Sequence, residues 1–415
     1  MCAGGEHTKG LDTGKGLVRT FIYMNGTSTP NRRFHLLTSA FAATSGRSAA
    51  PMRSLATKFL AVTAIVVAGA TVLTPAAYAW SNNDDAMASH LSVTAGYAAA
   101  SDGNCTFHPV YGWDCVVNMS GVPSAVSLAD FEAADPEIVA DGADIYLYST
   151  NTFVFGNPLN LPVRKLEFPE WKHYGDTMPE LGSWAEKGNT WAPGVHEVDG
   201  RWVVYYTARV AGTTDDPAFP AGEQCIGVAV ADEPTGPFVD SSDAPFICQH
   251  DLGGSIDASP FTDVDGSMWL TWKSDSNAPH IGGVSRLYSQ QLSADGLGLV
   301  GSPTVILVAD RAWEQPLIEN PEFVRRSDGK LMLTYSAGWW AGSSYSTGTA
   351  FCASPMGGCV KAGQWLTTGD GLVGPGGASF LTIGDSRFVA FHTWHDGAVF
   401  NEWGIRSLAF AAVDL

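Results

Sequence analysis

Residues 255–272 read SIDASPFTDVDGSMWLTW. A small, polar opening that contains a proline leads into a short apolar run. Asp265-Gly266 follows, and then Met268-Trp269-Leu270-Thr271-Trp272, a run of apolar and aromatic residues. Asp-Gly between two apolar runs is a strong hairpin signal, because tight hairpin turns need left-handed backbone that these two residues tolerate. The same text recurs as AADPEIVADGADIYLYS from Ala133, TWAPGVHEVDGRWVVYYT from Thr190, IENPEFVRRSDGKLMLTY from Ile318 and GGASFLTIGDSRFVAFHTW from Gly376. Asp199-Gly200 and Asp328-Gly329 repeat the turn, and the copy from Gly376 is the weakest.

A hairpin cannot bury both of its faces alone, so serial copies must stack on one another. Four-stranded blades around an axis do this and leave only short edges. Five copies therefore predict an all-β, five-bladed β-propeller over residues 126–415. A β-sandwich with accidental internal similarity is the competing architecture. Residues 80–125 match no copy and are expected to cap the propeller or supply a closing strand.

The chain of 415 residues is 45% apolar, with 14 Trp, and carries 42 acidic against 23 basic side chains, a net charge of −19. That composition builds a real core and argues against disorder. Its acidity argues against a nucleic-acid partner, which requires a basic face. From Met52 the text MRSLATKFLAVTAIVVAGATVLTPAAYAW has the layout of a secretory signal: Arg53 and Lys58, an uncharged run from Phe59 to Leu73, then Ala77-Tyr78-Ala79. That run is short for a bilayer span, so no membrane partner is expected. Cleavage is expected after Ala79, with 52–79 as signal, 1–51 as a non-native extension and the mature protein secreted. Six of the 7 cysteines fall beyond Ala79, in near pairs Cys105/Cys115, Cys225/Cys248 and Cys352/Cys359. Local pairing is favoured among the fifteen arrangements that six cysteines allow, in the oxidising compartment export implies.

In a propeller the innermost strands converge on the axis, so their first residues share one central pocket. The copies put Asp135, Trp191, Asp257 and Glu319 there. Three carboxylates and an aromatic ring make a poor core but suit glycoside hydrolysis. That reaction needs an acid to protonate the leaving oxygen and a base to activate water. Crowded carboxylates separate in pKa, so one stays protonated while another is ionised, and a Trp face stacks on sugar C–H groups. Repeat logic alone does not choose Asp135 over Glu132 or Glu137, nor Glu319 over Glu322.

Ala134-Asp135-Pro136, Thr190-Trp191-Ala192-Pro193, Ile256-Asp257-Ala258-Ser259-Pro260-Phe261 and Glu319-Asn320-Pro321-Glu322, in this order and spacing, resemble glycoside hydrolase family 43. So do Cys225–Ala231, Pro234–Phe238, Gly374-Pro375-Gly376-Gly377 and Phe391-His392-Thr393-Trp394. The resemblance runs from about residue 130 to the end. It implies a five-bladed propeller that hydrolyses arabinose- or xylose-containing plant polysaccharide with inversion. By motif, Asp135 resembles the general base, Asp257 the carboxylate that orients the acid, and Glu319 the general acid. An inverting acid–base pair is expected about 6.5–9.5 Å apart, leaving room for water.

Two departures stand out. Asn320 occupies a position where the family often has Gly or Ala. Gly377 occupies a position where some members carry a His serving a central metal; no cofactor is expected to be required, and Gly377 counts against a central calcium or sodium ion. His392 is a candidate for contact with sugar or with such an ion through water, and Arg406 for hydrogen bonding to the sugar; a core histidine and a structural ion pair are the plain alternatives. Trp339, Trp340 and Tyr345 are candidates for lining the groove. The preferred function is cleavage of α-L-arabinofuranosyl linkages in arabinan or arabinoxylan. Rivals are a β-xylosidase of the same family, a sucrose- or fructan-cleaving propeller and a non-catalytic glycan-binding propeller. His196-Glu197 lacks the second His of a zinc-protease motif.

Overall fold

The computed structural model describes residues 105–108, 112–115, 127–154, 157–213, 222–384, 386–395 and 405–415. The expected extension (1–51) and signal (52–79) lie outside them. Besides two two-stranded hairpins, Cys105–His108 with Gly112–Cys115 and Thr152–Val154 with Asn157–Leu159, the described residues form five antiparallel blade sheets in the order the sequence repeat predicts, each copy supplying the two inner strands of one sheet.

Blade 1 runs Glu137–Asp141, Asp144–Tyr148, Pro162–Glu167 and Glu170–Asp176. Blade 2 runs Ala185–Val198, Arg201–Val210 and Gln224–Ala231. Blade 3 runs Ser255–Thr262, Met268–Ser274, Arg286–Leu292 and Leu299–Val308. Blade 4 runs Ile318–Arg325, Leu331–Ala337, Ser346–Cys352 and Val360–Leu366. Blade 5 runs Gly376–Ile383, Ser386–Trp394 and Arg406–Ala412. Its fourth strand is Ser127–Glu132, paired from Ser407 opposite Glu132 to Phe410 opposite Ser127 with one register slip after Ser407. The first strand of the propeller thus pairs with the last and removes an open edge. Within 80–125, the described residues form the hairpin Cys105–His108 and Gly112–Cys115, whose register sets Cys105 opposite Cys115. Closure itself falls to Ser127–Glu132.

Blade 2 has three regular strands, and the stretch after Ala231 runs along its outer edge. Isolated bridges, Val230 to Val239, Ile226 to Ile247 and Gln224 to Gly254, tie it there, with the disulfide Cys225–Cys248 and hydrogen bonds from Trp184 and Tyr206 to Asp240. The Pro-rich text from Pro234 to Pro245 explains the irregularity, since proline cannot donate to a ladder. A second disulfide joins Cys352 and Cys359.

The alternation of the second strands has a direct consequence: one set of side chains faces the preceding blade and the other the following one. In blade 2, Trp202, Val204 and Tyr206 pack with Tyr146 and Tyr148 of blade 1. The intervening Val203 and Tyr205 pack with Leu270, Trp272 and Tyr288 of blade 3. Comparable clusters fill the gaps between blades 3 and 4, 4 and 5, and 5 and 1. Nearly every bulky residue of those strands is buried, at roughly 1.5–3 kcal/mol of transfer free energy each. The turns vary. Asp199 and Gly200, with φ of 52° and 77°, form a two-residue turn between Val198 and Arg201, whereas the loops at Asp265-Gly266 and Asp328-Gly329 are longer.

Candidate active site

Each inner strand enters the axis through one irregular residue. In blades 2 to 5 the register with the second strand slips between Trp191 and Gly194, Ile256 and Ser259, Glu319 and Glu322, and Gly376 and Ser379. At each slip one residue has left-handed backbone: Ala192 (φ 41°), Asp257 (59°), Asn320 (46°) and Gly377 (62°), with Asp135 (47°) their counterpart in blade 1. Such a conformation costs a non-glycine residue of order 1 kcal/mol or more, and it clusters at functional sites. Asp135 and Asp257 therefore occupy one level of the repeat, and Trp191 and Glu319 the level one residue earlier. The bulge adds a residue that the linear text does not reveal.

The strain is held by a clasp repeated around the ring. The backbone N–H of each left-handed residue donates to a side chain of the preceding blade: Asp135 to His392 Nδ1 (3.1 Å), Ala192 to Thr150 Oγ1 (3.0 Å), Asp257 to Thr207 Oγ1 (3.2 Å) and Gly377 to Ser336 Oγ (2.8 Å). In blade 4 the acceptor differs: Asn320 N–H donates to Asp257 Oδ2 at 3.0 Å.

Asp135, Asp257 and Glu319 come together at this end of the axis. Asp135 accepts from Thr150 Oγ1 through Oδ2 (2.6 Å) and from Asn320 Nδ2 through Oδ1 (3.4 Å). Glu319, only 8% exposed, is gripped at both oxygens, Oε1 by the Tyr345 hydroxyl (2.7 Å) and Oε2 by the Lys273 ammonium (3.0 Å). The Tyr345 oxygen also lies 2.9 Å from Asn320 Oδ1. Hydrogen-bond contacts thus run from Glu319 through Tyr345 and Asn320 to Asp135. Burial, with the charges of Glu319 and Asp135 beside it, pushes the Asp257 carboxyl well above the usual carboxylate range, and Lys273 pulls it back only in part. Such a site can hold one proton among its acids while another carboxylate stays ionised.

The alternatives the sequence left open separate by depth. Glu137 lies two residues beyond Asp135 and Glu322 three beyond Glu319, and with Ser259 and Ser379 they line an axial cavity that Asp135 and Asp257 also border. Glu137 accepts from Ser379 Oγ (2.7 Å) and Val195 N–H (3.1 Å), and Glu322 accepts from Ser259. Burial pushes Glu137 up to about 7 and Glu322 well above its ordinary value. Glu132 instead binds Arg406, accepting its guanidinium at 3.2 Å and its backbone N–H at 2.8 Å. Arg406 sits among Glu132, Trp340 and Trp394, with ring centroids 5.9 and 5.7 Å away, and its side chain stays 20% exposed. Trp191 is half-buried, opposite Thr207.

His392 is buried and stacks parallel on Tyr345, with centroids 5.8 Å apart. Burial pushes its pKa down to about 4, so the ring is neutral near pH 7. Because Nδ1 accepts from Asp135 N–H, the ring proton sits on Nε2, which has no hydrogen-bond partner among the described residues. A protonated nitrogen is a donor and cannot ligate a cation. Gly377 brings no ligand either, and a Cβ there would lie 3.1 Å from both His392 Nδ1 and Asp135 Cα. Neither His392 Nε2 nor the side chain at 377 therefore offers a lone pair for direct ligation of a cation.

Sequence reading missed Lys273, placed Tyr345 only as a groove candidate, and did not foresee Thr150. Lys273 had a readable signal: a lysine inside Met268–Ser274, an apolar strand, must find a counter-charge when buried.

The description "Glycosyl hydrolases family 43" matches residues 128–406. An "Extracellular exo-alpha-(1->5)-L-arabinofuranosidase" of Streptomyces avermitilis is 26% identical over 236 residues, which are 52% of this chain and 46% of that protein. "Alpha-L-arabinofuranosidase 43" of Humicola insolens is 25% identical over 233 residues, 54% of this chain and 44% of that one. The chain thus matches less than half the length of these curated relatives. A solved thermostable family-43 glycoside hydrolase superposes with a TM-score of 0.56 at 23% identity, covering 71% of this chain and 92% of its own, and shares the fold. A family match over two thirds of the chain, on the propeller that carries these three carboxylates, makes the protein a member of glycosyl hydrolase family 43.

Proposed function

We propose that the protein is a secreted glycoside hydrolase that cleaves α-L-arabinofuranosyl linkages in arabinan or arabinoxylan with inversion. The observation that carries this is the set of carboxylates from three blades, Asp135, Asp257 and Glu319, joined at one end of the axis by Asn320 and Tyr345. Glu319 is the general acid that protonates the leaving oxygen. Asp135, whose side chain stays partly open at 17% exposure, is the base that activates water. Asp257 orients the backbone of Asn320, the residue that follows the acid in its strand. The neutral His392 supports the base by accepting the Asp135 backbone N–H at Nδ1, and Trp191 supplies an apolar ring. The reading uses no metal or cofactor. The arabinofuranosidase relatives support the sugar, and the extracellular relative together with two disulfides supports export.

A proton NMR time course of the protein with a mixture of linear arabinan and arabinoxylan tests it. Early β-arabinofuranose signals are the expected result. Early α-arabinofuranose would overturn inversion. Released xylose would overturn the substrate, and no product from either polymer would overturn the enzymatic reading in favour of glycan binding.

A further inference from the structure

The clasp around the axis is broken in one blade. The second-strand position that supports the next blade's left-handed residue is Thr150, Thr207, Ser336 and His392 in blades 1, 2, 4 and 5, each an acceptor for a backbone N–H. In blade 3 the register puts Lys273 there, opposite Ile256 as Thr207 is opposite Trp191 and Ser336 opposite Glu319. An ammonium has no acceptor, so it cannot serve the clasp. Asp257 takes over that task for Asn320, and Lys273, 2% exposed, turns its charge on Glu319 Oε2 at 3.0 Å, with Asp275 as second partner at 3.3 Å. A structural repeat satisfied four times by a neutral acceptor is given up at the one of these positions whose side chain hydrogen-bonds the Glu319 carboxyl.

We propose that Lys273 is a positioning residue of the hydrolysis, fixing the carboxyl of Glu319 so that its proton is delivered to the departing sugar oxygen. The proposal rests on Glu319 being the general acid. Three acidic groups face the ammonium: Glu319 from blade 4, and Asp257 and Asp275 from blade 3, with Asp135 acting on Asp257 from across the axis. Burial opposes the charge on Lys273, yet these carboxylates hold its pKa above the ordinary lysine value. The ammonium therefore stays charged wherever the enzyme works, and it balances one negative charge of the Asp257–Glu319 pair.

A leaving group that departs without help needs no general acid, and this separates positioning from mere packing. Lys273→Met is expected to lower kcat about 100-fold on an arabino-oligosaccharide, whose leaving group is a sugar hydroxyl, and less than about 10-fold on 2,4-dinitrophenyl α-L-arabinofuranoside, with KM little changed. The alkaline limb of its kcat/KM profile moves to higher pH, because the charge that favours the ionised pair is gone. Glu319→Gln is assayed beside it and should show the same selective loss, larger. Equal losses on both substrates for Lys273→Met, with the selective loss retained in Glu319→Gln, overturn the positioning role. Equal losses in both variants overturn Glu319 as the acid and this proposal with it. Where thermal melting shows that Lys273→Met does not fold, Lys273→Arg decides: it keeps the charge but misplaces it, and must show a smaller selective loss on the oligosaccharide. Equal losses there also overturn the proposal.

Discussion

Two sets of carboxylates lie along one axis and live differently. At the upper level, Asp135, Asp257 and Glu319 meet a lysine, a tyrosine hydroxyl, a threonine and an asparagine. Two to three residues further along the strands, Glu137 and Glu322 meet serines and a backbone N–H, with no cation in hydrogen-bond contact among the described residues. The same residue type at the same axis thus has two fates. A carboxyl given only neutral donors where it is buried has its protonated form favoured and serves packing. One given a lysine and a neighbouring acid can exchange protons. Burial and negative charge alone do not mark an active site; the kind of partner does.

The largest test of this contrast is at the upper level. Glu319→Gln should reduce kcat on polysaccharide by 10²- to 10⁴-fold with little change in melting temperature, and Asp135→Asn should do likewise; retained activity would erase the distinction between levels. At the lower level the effect should appear in stability. A carboxyl raised from 4.5 to about 7 in the folded state stabilises the fold most fully below pH 4.5, and that contribution is lost as pH rises through 7. Glu137→Gln should therefore raise stability at pH 8 by on the order of 3 kcal/mol, leave it little changed near pH 4, and leave kcat within about twofold. A melting temperature in the variant that still falls steeply between pH 5 and 8 would break the comparison. Opening the disulfide Cys225–Cys248 with paired Ser substitutions should cost about 2–4 kcal/mol in thermal unfolding, because it closes a loop 23 residues apart and ties down an edge with few ladder bonds. Smallest is Trp191→Ala, expected to raise KM about 10-fold by removing an apolar face while kcat holds; an unchanged KM would remove Trp191 from the binding surface.

Much of this was legible in the text. Strand–turn–strand copies at Ala133, Thr190, Ser255, Ile318 and Gly376 carry their periodicity and turns openly, and they became the paired inner strands of five blades. The carboxylates were legible as types, because three acids at the mouths of strands are unusual. Their register was not. A bulge shifts Glu319 one level from Asp257, and only three-dimensional pairing exposes it. Glu137 and Glu322 could not be set apart from Asp135 and Glu319, since depth along an axis leaves no trace in a linear pattern. Lys273 and Arg406 are both lone cations in apolar strands. Reading sought a purpose for Arg406 and none for Lys273, while the structure gives Arg406 to Glu132 and Lys273 to Glu319.

The pairing of Ser127–Glu132 with Arg406–Ala412 also has a consequence in time. The strand that leaves the ribosome first among the blades must wait for the last, across almost the whole propeller, before either acquires its neighbour. Contacts that distant form slowly, since the entropy of closing the intervening loop must be met before the pairing rewards it. Blades 1 to 4 can take shape as the chain emerges, but the ring stays open, with two bare strand edges, until Ala412 has been made. Asp135, three residues after that first strand, receives the support of His392 only at the same moment. Closing the circle and completing the base are one event.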